Sequence, residues 1–172
     1  MVGDPFAETT FQGPQVTKAQ HERVLDYINV GNSEGATLVS GGEPASSSGK
    51  GFFVSPTIFC DVTDSMRIYR EEVFGPIVTI SSFKTEAEAV KRANDSSYGL
   101  GSSVFTSDIS RGHRVARRVE AGMVWLNSNN DSDYRVPFGG VKQSGIGREL
   151  GEAGLRAYSN EKAVHVNLGT RI

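Results

Sequence analysis

Stretches with a helical period alternate with short apolar runs along the whole chain, and this alternation limits the fold more than any other feature. The first helical pattern follows Thr17, places its apolar residues on one face and stops at residues 31–35. Three runs rich in β-branched and aromatic residues follow, as expected of strands, at residues 37–40, 55–62 and 77–83. The Gly- and Ser-rich residues 41–49 predict an exposed turn.

The alternation continues after residue 83 with clearer helix signals. Thr85 followed by Glu88 is a capping box and predicts that a helix begins there. Two further strands are predicted, at residues 101–106 and 123–127. The helix between them is predicted to end at Gly122. The second strand is almost wholly apolar, which is typical of a strand buried on both faces of a parallel sheet.

The last part of the sequence predicts one more helix and one more strand. The helix carries a stripe of small and apolar residues, Leu150, Ala153, Gly154 and Ala157. The strand, residues 163–168, alternates apolar with polar side chains. The predicted fold is therefore α/β, with an open, mostly parallel sheet, helices on both faces and a carboxy-terminal edge strand, in a single domain of residues 1–172.

Charge, cysteine and histidine content exclude several classes of function. The net charge is -2, with acidic and basic residues mixed throughout, so we expect no nucleic acid or membrane partner. No signal-like start and no apolar stretch of roughly 18 residues occurs, so we expect a cytoplasmic protein. Cys60 is the single cysteine, and the three histidines lack metal-ligand spacing, so we expect no disulfide and no metal.

Several short motifs occur in one order along the chain. They are Glu71-Glu72-Val73-Phe74-Gly75-Pro76, Tyr98-Gly99-Leu100, Trp125-Leu126-Asn127, Pro137-Phe138-Gly139-Gly140 and Arg148-Glu149-Leu150-Gly151. In these motifs and their spacing the chain resembles the carboxy-terminal, catalytic-domain part of the aldehyde dehydrogenase superfamily over essentially all of its length. The resemblance implies the family's fold and, for a full-length member, NAD(P)-dependent oxidation of aldehydes.

The resemblance also implies roles for four residues. Glu72 corresponds to the glutamate that holds the nicotinamide ribose, and Phe74 to the phenylalanine that packs near the nicotinamide, so both are remnant cofactor contacts. Asn127 and Phe138 correspond to residues beside the substrate channel. We expect all four to converge on one pocket with the loop that precedes Pro137.

That loop, residues 128–135, is polar where the family usually has aromatic or apolar residues. It offers Asp131, Asp133, Tyr134 and Arg135. One interpretation is drift on a surface that is no longer under constraint. The other is a pocket with a new lining, in which these side chains act as acids, bases or hydrogen-bonding groups toward a polar ligand.

The family's dinucleotide-binding domain, catalytic cysteine, general-base glutamate and oxyanion-hole asparagine all precede the part that this chain resembles. Cys60 lies in a strand pattern away from the motif that presents the nucleophile, and we interpret it as a small buried apolar side chain. We therefore expect no cofactor for the chain by itself, and NAD(P) only where another chain completes the site.

Three functions remain open. Aldehyde oxidation needs a thiolate and a bound nicotinamide from another chain. The favoured hypothesis is non-redox acid–base chemistry, a cyclisation, isomerisation or addition, on a small carbonyl compound. Its catalytic candidates are Glu72, Asp131, Asp133 and Tyr134, and its substrate-binding candidates are Asn127, Arg135 and Phe138. The third is a non-catalytic subunit or binding module that pairs with a full-length relative, or a fragment of such an enzyme.

The resemblance bears on assembly as well. In the family the carboxy-terminal strand pairs with a hairpin of a neighbouring subunit, and that hairpin lies in the part that this sequence lacks. An unpaired strand edge favours association with another chain. We therefore expect a homo-oligomer, most simply a dimer, or a hetero-complex.

Overall fold

The computed structural model describes residues 1–45 and 51–169, so part of the predicted turn at residues 41–49 lies outside the described residues. Contacts divide the chain into two compact units, Met1–Phe83 and Lys84–Ile172. Met1–Phe83 is the first unit, and Lys84–Ile172 is the second. The expectation of one domain over residues 1–172 remains a prediction.

Helix α1, Lys18–Ser33, is the main helix of the first unit. It begins where the sequence predicts, because the Thr17 hydroxyl accepts a hydrogen bond from the Gln20 amide at 3.2 Å and caps the helix. Its buried face carries Val24, Tyr27, Ile28 and Gly31, at the spacing of one helical stripe. This face packs against the core of the unit.

The first unit contains a three-stranded sheet in the order β1-β2-β3. Its strands are β1 (Thr37–Ser40), β2 (Thr57–Cys60) and β3 (Ile77–Thr79). β1 runs antiparallel to β2, and β3 runs parallel to it. The central strand buries Thr57 and Phe59, and Phe59 belongs to the hydrophobic core. β2 and β3 are shorter than predicted, and β2 stops where Asp61 takes a left-handed conformation with φ of 56°.

A one-turn helix, α2 (Arg67–Arg70), lies between β2 and β3. It buries Ile68 in the core of the first unit. The sequence patterns did not predict this helix, because four residues are too few to show a helical period. Its position matters for the site, since residues 71–76 follow it directly.

The second unit begins with the capping box. The Thr85 hydroxyl accepts a hydrogen bond from the Glu88 amide at 3.1 Å, and the Glu88 carboxylate accepts one from the Lys84 amide at 2.8 Å. Helix α3 follows, which confirms the prediction. The remaining elements are α3 (Glu86–Asn94), β4 (Gly101–Val104), α4 (Ile109–Ala116), β5 (Met123–Leu126), a 3-10 turn (Lys142–Ser144) and α5 (Gly151–Ala157).

β4 and β5 pair in parallel as a two-stranded sheet, with Gly101 opposite Met123 and Val104 opposite Leu126. The α/β class and the mostly parallel pairing are therefore confirmed. The strands of the described residues form two small sheets. β5 is half-buried along its length rather than buried on both faces.

The prediction that α4 ends at a left-handed Gly122 is wrong. The helix ends at Ala116, with Arg117 as its C-cap, and Gly122 does not have a positive φ. Gly122 has a different reason to be glycine, because a Cβ there would lie 1.8 Å from the Gly139 carbonyl oxygen. The residue permits close approach of two backbone segments.

The predicted carboxy-terminal edge strand is also absent from the described part of the chain. Residues 159–168 have no regular structure, and Val164 and Val166 are each 74% exposed. Alternating side chains favour a strand, but a strand also needs a neighbour to pair with its N–H and C=O groups. No such neighbour is seen among the described residues.

Candidate functional site

Residues 71–76 connect α2 to β3 and carry the two adjacent glutamates of the first motif. Glu71 is the C-cap of α2, and its amide donates to the Arg67 carbonyl at 2.8 Å. Val73 points into the core, whereas Glu72 and Phe74 lie at the surface. Glu71 and Val73 therefore anchor the segment, and Glu72 and Phe74 are presented to solvent between and after them.

The Glu71 carboxylate is held by a hydrogen-bond network. Arg67 binds it with two nitrogens, Nε to Oε1 at 3.1 Å and Nη2 to Oε2 at 2.9 Å. The Tyr27 hydroxyl donates to Oε2 at 2.5 Å. These hydrogen bonds lower the pKa of Glu71 from 4.5 to about 2, and those from Arg67 have a larger effect than the one from Tyr27. The guanidinium groups of Arg23 and Arg67 lie 5.4 and 5.5 Å from the centre of the Tyr27 ring.

The Phe74 backbone is strained, with φ of 44°, a conformation that side chains other than glycine rarely adopt. The Gln20 side-chain amide donates to its carbonyl oxygen. Gly75 lies against α1 so closely that a Cβ there would come within 2.5 Å of Val24 Cγ2. The Phe74 ring itself is 72% exposed. The strained backbone is held by the Gln20 contact to the Phe74 carbonyl and by the packing of Gly75 against Val24.

An open cavity of about 640 Å³ lies on α1 beside this segment. It is lined by α1 residues, by the N-cap Thr17 and by Arg67. Glu22 and Asp26 bring acidic groups to the lining, while Arg23 and Arg67 bring guanidinium groups. The lining therefore carries both signs of charge beside apolar surface.

Asn127 directly follows β5 and has a left-handed backbone with φ of 58°. Its side-chain oxygen accepts a hydrogen bond from the Thr106 amide at 2.8 Å, and its own amide donates to the Val104 carbonyl at 2.9 Å. The side chain thus ties together the chain segments that leave β4 and β5. Asn127 is exposed at the carboxyl end of the parallel pair, which is the usual ligand edge of such a sheet.

The polar loop after Asn127 is internally bonded. The Trp125 indole donates to the Asp131 carbonyl at 2.9 Å. Arg135 binds the Asp133 carboxylate with Nε at 2.8 Å and with Nη2 at 2.6 Å, which lowers the pKa of Asp133. The Arg135 guanidinium lies 5.5 Å from the centre of the Tyr134 ring. The structure therefore brings Asp133, Tyr134 and Arg135 together.

Phe138 is half-buried and forms an isolated antiparallel bridge with Glu149. The Phe138 amide donates to the Glu149 carbonyl at 2.8 Å, and the Glu149 amide donates to the Phe138 carbonyl at 2.7 Å. Close backbone packing continues at the next residue, since a Cβ on Gly139 would lie 2.5 Å from the Gly147 carbonyl oxygen. The glycine at position 139 of this motif therefore serves backbone packing.

The predicted site residues fall into both units. Glu72 and Phe74 lie in the first unit, and the others lie in the second, namely Asn127, Asp131, Asp133, Tyr134, Arg135 and Phe138. Their convergence on one pocket remains a prediction. Sequence reasoning missed Gln20, Tyr27 and Arg67. The helical spacing of Gln20, Val24 and Tyr27 shows that they share a face, but nothing in it points to residues 71–75.

Other candidate chemistry is sparse in the part of the chain that the structure describes. Cys60 is half-buried at the end of β2, opposite Thr37. No group of three or more metal-ligating side chains occurs among residues 1–45 and 51–169. Over the same residues, no helix has the length and the apolar content to span a membrane.

Comparison with known proteins gives the family. The chain matches the aldehyde dehydrogenase family over residues 1–164. It is 52% identical over 170 residues to the betaine aldehyde dehydrogenase of Brucella melitensis. The matched region covers 98% of this chain and 35% of that protein.

Solved structures agree with the sequence match. The fold is similar to an NAD+ complex of an aldehyde dehydrogenase from Bacillus cereus, with a TM-score of 0.93 and 50% identity over 98% of this chain and 34% of that one. It is also similar to a point mutant of betaine aldehyde dehydrogenase from Staphylococcus aureus in complex with NAD+, with a TM-score of 0.95 and 40% identity over 99% of this chain and 35% of that one. The chain thus spans about a third of the length of these relatives, and it belongs to the aldehyde dehydrogenase family.

Proposed function

We propose that this chain supplies the nicotinamide-facing part of an NAD-dependent aldehyde dehydrogenase. The remaining parts of such an enzyme, a dinucleotide-binding domain and a reactive thiol, are supplied by other protein segments. Two solved relatives are NAD+ complexes, and each is matched by this chain over about a third of its length. The similarity to betaine aldehyde dehydrogenases suggests a small polar aldehyde as substrate.

The observation that carries this proposal is the difference between Glu71 and Glu72. Both side chains are exposed, but Arg67 and Tyr27 bind the Glu71 carboxylate, and no such partner of the Glu72 carboxylate is seen among the described residues. A carboxylate has two acceptor oxygens and can bind both hydroxyls of a ribose. Phe74, two residues on, presents an exposed aromatic ring. The pair fits a ribose with an attached planar ring.

These residues have a binding and orienting role in the proposed reaction. Glu72 fixes the ribose, and Phe74 limits the positions open to the attached ring, so the reacting carbon of the cofactor is held in one place. When bound, NAD accepts the hydride that leaves the aldehyde carbon. The proton and the nucleophile are handled by groups outside this chain.

The alternative, non-redox acid–base chemistry on a carbonyl compound, has less support. A general acid or base works best when its pKa lies near the working pH. The ion pair of Asp133 with Arg135 lowers the pKa of Asp133 and so moves it further from the working pH. Tyr134 is 76% exposed, and the Arg135 guanidinium lies 5.5 Å from the centre of its ring. The observations therefore favour the cofactor role.

The test is reconstitution. The full chain is co-expressed with the two thirds of the Bacillus cereus aldehyde dehydrogenase that it does not match, and NADH formation from betaine aldehyde is measured. We expect activity from the complex and none from either part alone. Glu72→Gln should raise the KM for NAD about 10- to 100-fold, as expected for loss of hydrogen bonds to a charged acceptor.

Glu152→Gln is the matched control, because this exposed carboxylate belongs to a surface pair with Arg156 on α5. It should leave the KM for NAD unchanged. A complex that forms but does not reduce NAD, or an unchanged KM in Glu72→Gln, would contradict the proposal.

A further inference from the structure

We propose that Tyr27, with Gln20 and Val24 on the same face of α1, positions Glu72 and Phe74 by fastening the residues on either side of them. The inference rests on the proposed function and adds positioning residues to it. Tyr27 binds no part of the cofactor in this proposal. It acts through Glu71.

The three α1 residues are spaced four and three apart and therefore lie on one face of the helix. Each contacts a different residue of the segment. The Tyr27 hydroxyl binds the Glu71 carboxylate at 2.5 Å, the Gln20 amide binds the Phe74 carbonyl, and the Val24 side chain packs against Gly75. Residues 71, 74 and 75 are thus fixed to the helix, and residues 72 and 74 project from the fixed segment.

The segment needs this support because its backbone is not relaxed. A residue other than glycine with φ near 44° is strained, and such a conformation persists only where surrounding contacts enforce it. The contacts to Phe74 and Gly75 act at the strained residue itself. The contact to Glu71 acts one residue before Glu72, where a change in backbone direction would move the carboxylate away from its ligand.

Tyr27 is the residue whose role can be isolated. Its ring is buried in the core beside α2, so Tyr27→Phe keeps the packing and removes only the hydroxyl. Arg67 still binds Glu71 in that variant. Tyr158→Phe makes the same chemical change at a tyrosine that is 90% exposed, and it is the matched control.

The first measurement uses the chain alone and does not depend on enzyme activity. Amide hydrogen exchange is followed at Glu71 and Ile77, which donate to Arg67 and Gly75 and border the segment. We expect Tyr27→Phe to raise exchange at these amides about 5- to 10-fold. Exchange at the Ile80 amide, which donates to Phe59 of β2, should stay unchanged.

The second measurement uses the reconstituted complex. Tyr27→Phe should raise the KM for NAD about 5- to 10-fold, with little change in the KM for the aldehyde. Because Tyr27 holds Glu71 and thereby sets the position of Glu72, adding Tyr27→Phe to Glu72→Gln should cause no further rise in the KM for NAD. If Tyr27 served only general stability, the two substitutions would act independently, and their fold-increases in the KM for NAD would multiply.

The outcomes separate this inference from the proposed function. If the wild-type complex does not reduce NAD, the proposed function fails, while the exchange measurement still decides whether Tyr27 fastens the segment. Equal exchange in Tyr27→Phe and Tyr158→Phe, a uniform increase that includes Ile80, or multiplying effects on the KM would each overturn the positioning role.

Discussion

At the scale of single residues, two neighbouring exposed glutamates differ in their hydrogen-bond partners. Glu71 is bound by Arg67 and Tyr27, whereas no hydrogen bond or ion pair of the Glu72 side chain is seen among the described residues. The side chains differ only in position, so the contrast comes from the contacts available to each. One carboxylate secures the backbone, and the next remains accessible to a ligand.

The environment of Glu71 predicts how stability depends on pH. Its pKa falls from 4.5 in the unfolded chain to about 2 in the folded protein, so the folded state favours the ionised form. The stabilisation from Glu71 is therefore fully present above pH 4.5 and is lost as the pH falls toward 2. We expect Glu71→Gln to be less stable than wild type at pH 7, with a difference that shrinks below pH 4.5.

Urea unfolding of both proteins across this pH range measures the difference. Glu161→Gln, which removes the same charge at an exposed position, is the control and should follow the wild-type curve. A difference between wild type and Glu71→Gln that stays constant down to pH 2 would show that the carboxylate makes no charge-dependent contribution.

At the scale of elements, glycines allow the loops of the second unit to pack closely. A Cβ on Gly122 would lie 1.8 Å from the Gly139 carbonyl oxygen, and a Cβ on Gly99 would lie 2.6 Å from the Glu120 carbonyl oxygen. The Gly99 amide also donates a hydrogen bond to the Ser144 hydroxyl oxygen at 2.9 Å. These contacts join the loops before β4 and β5 to the segment that contains Phe138.

We expect Gly122→Ala to destabilise the protein by about 3 kcal/mol or more, because backbone atoms must move to admit the methyl group. Gly147→Ala is the control. No atom lies within 4 Å of a Cβ at position 147, and its φ is not positive, so the change should stay within about 0.5 kcal/mol. Thermal unfolding of both variants gives the comparison, and equal losses would show that close packing at Gly122 does not limit stability.

At the scale of the whole molecule, residues 159–168 are irregular and exposed, with Val164, Val166 and Leu168 facing solvent. Exposed alternating apolar residues in a segment that pairs with no strand of the described residues are suited to pairing with a strand of another chain. We propose that this segment is where the chain associates with a second copy or with a relative. A specific interface buries at least about 1,000 Å² in total.

Sedimentation over a concentration series tests this association. We expect a dimer for the wild type and a monomer for the double variant Val164→Asp, Val166→Asp, since the charges would have to be buried on pairing. Ile146→Asp, at a residue that is 97% exposed outside this segment, is the control and should remain dimeric. A wild-type monomer at all concentrations would contradict self-association and would leave a different chain as the partner.

Several elements could be predicted from the sequence because their causes are local. The caps at Thr17 and Thr85 and the strand Thr37–Ser40 are where their patterns indicate. Hydroxyl caps and apolar periods act within a few residues, so the sequence alone determines them. The family could also be identified in this way, because its motifs are short and occur in a fixed order.

Features that depend on distant residues were decided only by the tertiary structure. Residues 163–168 have a strand pattern but no pairing neighbour among the described residues, so pattern alone did not make a strand. Gly122 is glycine because of Gly139, not because of a helix end. The hydrogen bonds that distinguish Glu71 from Glu72 come from Arg67, four positions earlier, and from Tyr27, 44 positions earlier in the chain. Local hydroxyl caps determine where α1 and α3 begin, whereas the roles of equivalent side chains are set by the partners that folding brings within hydrogen-bond distance.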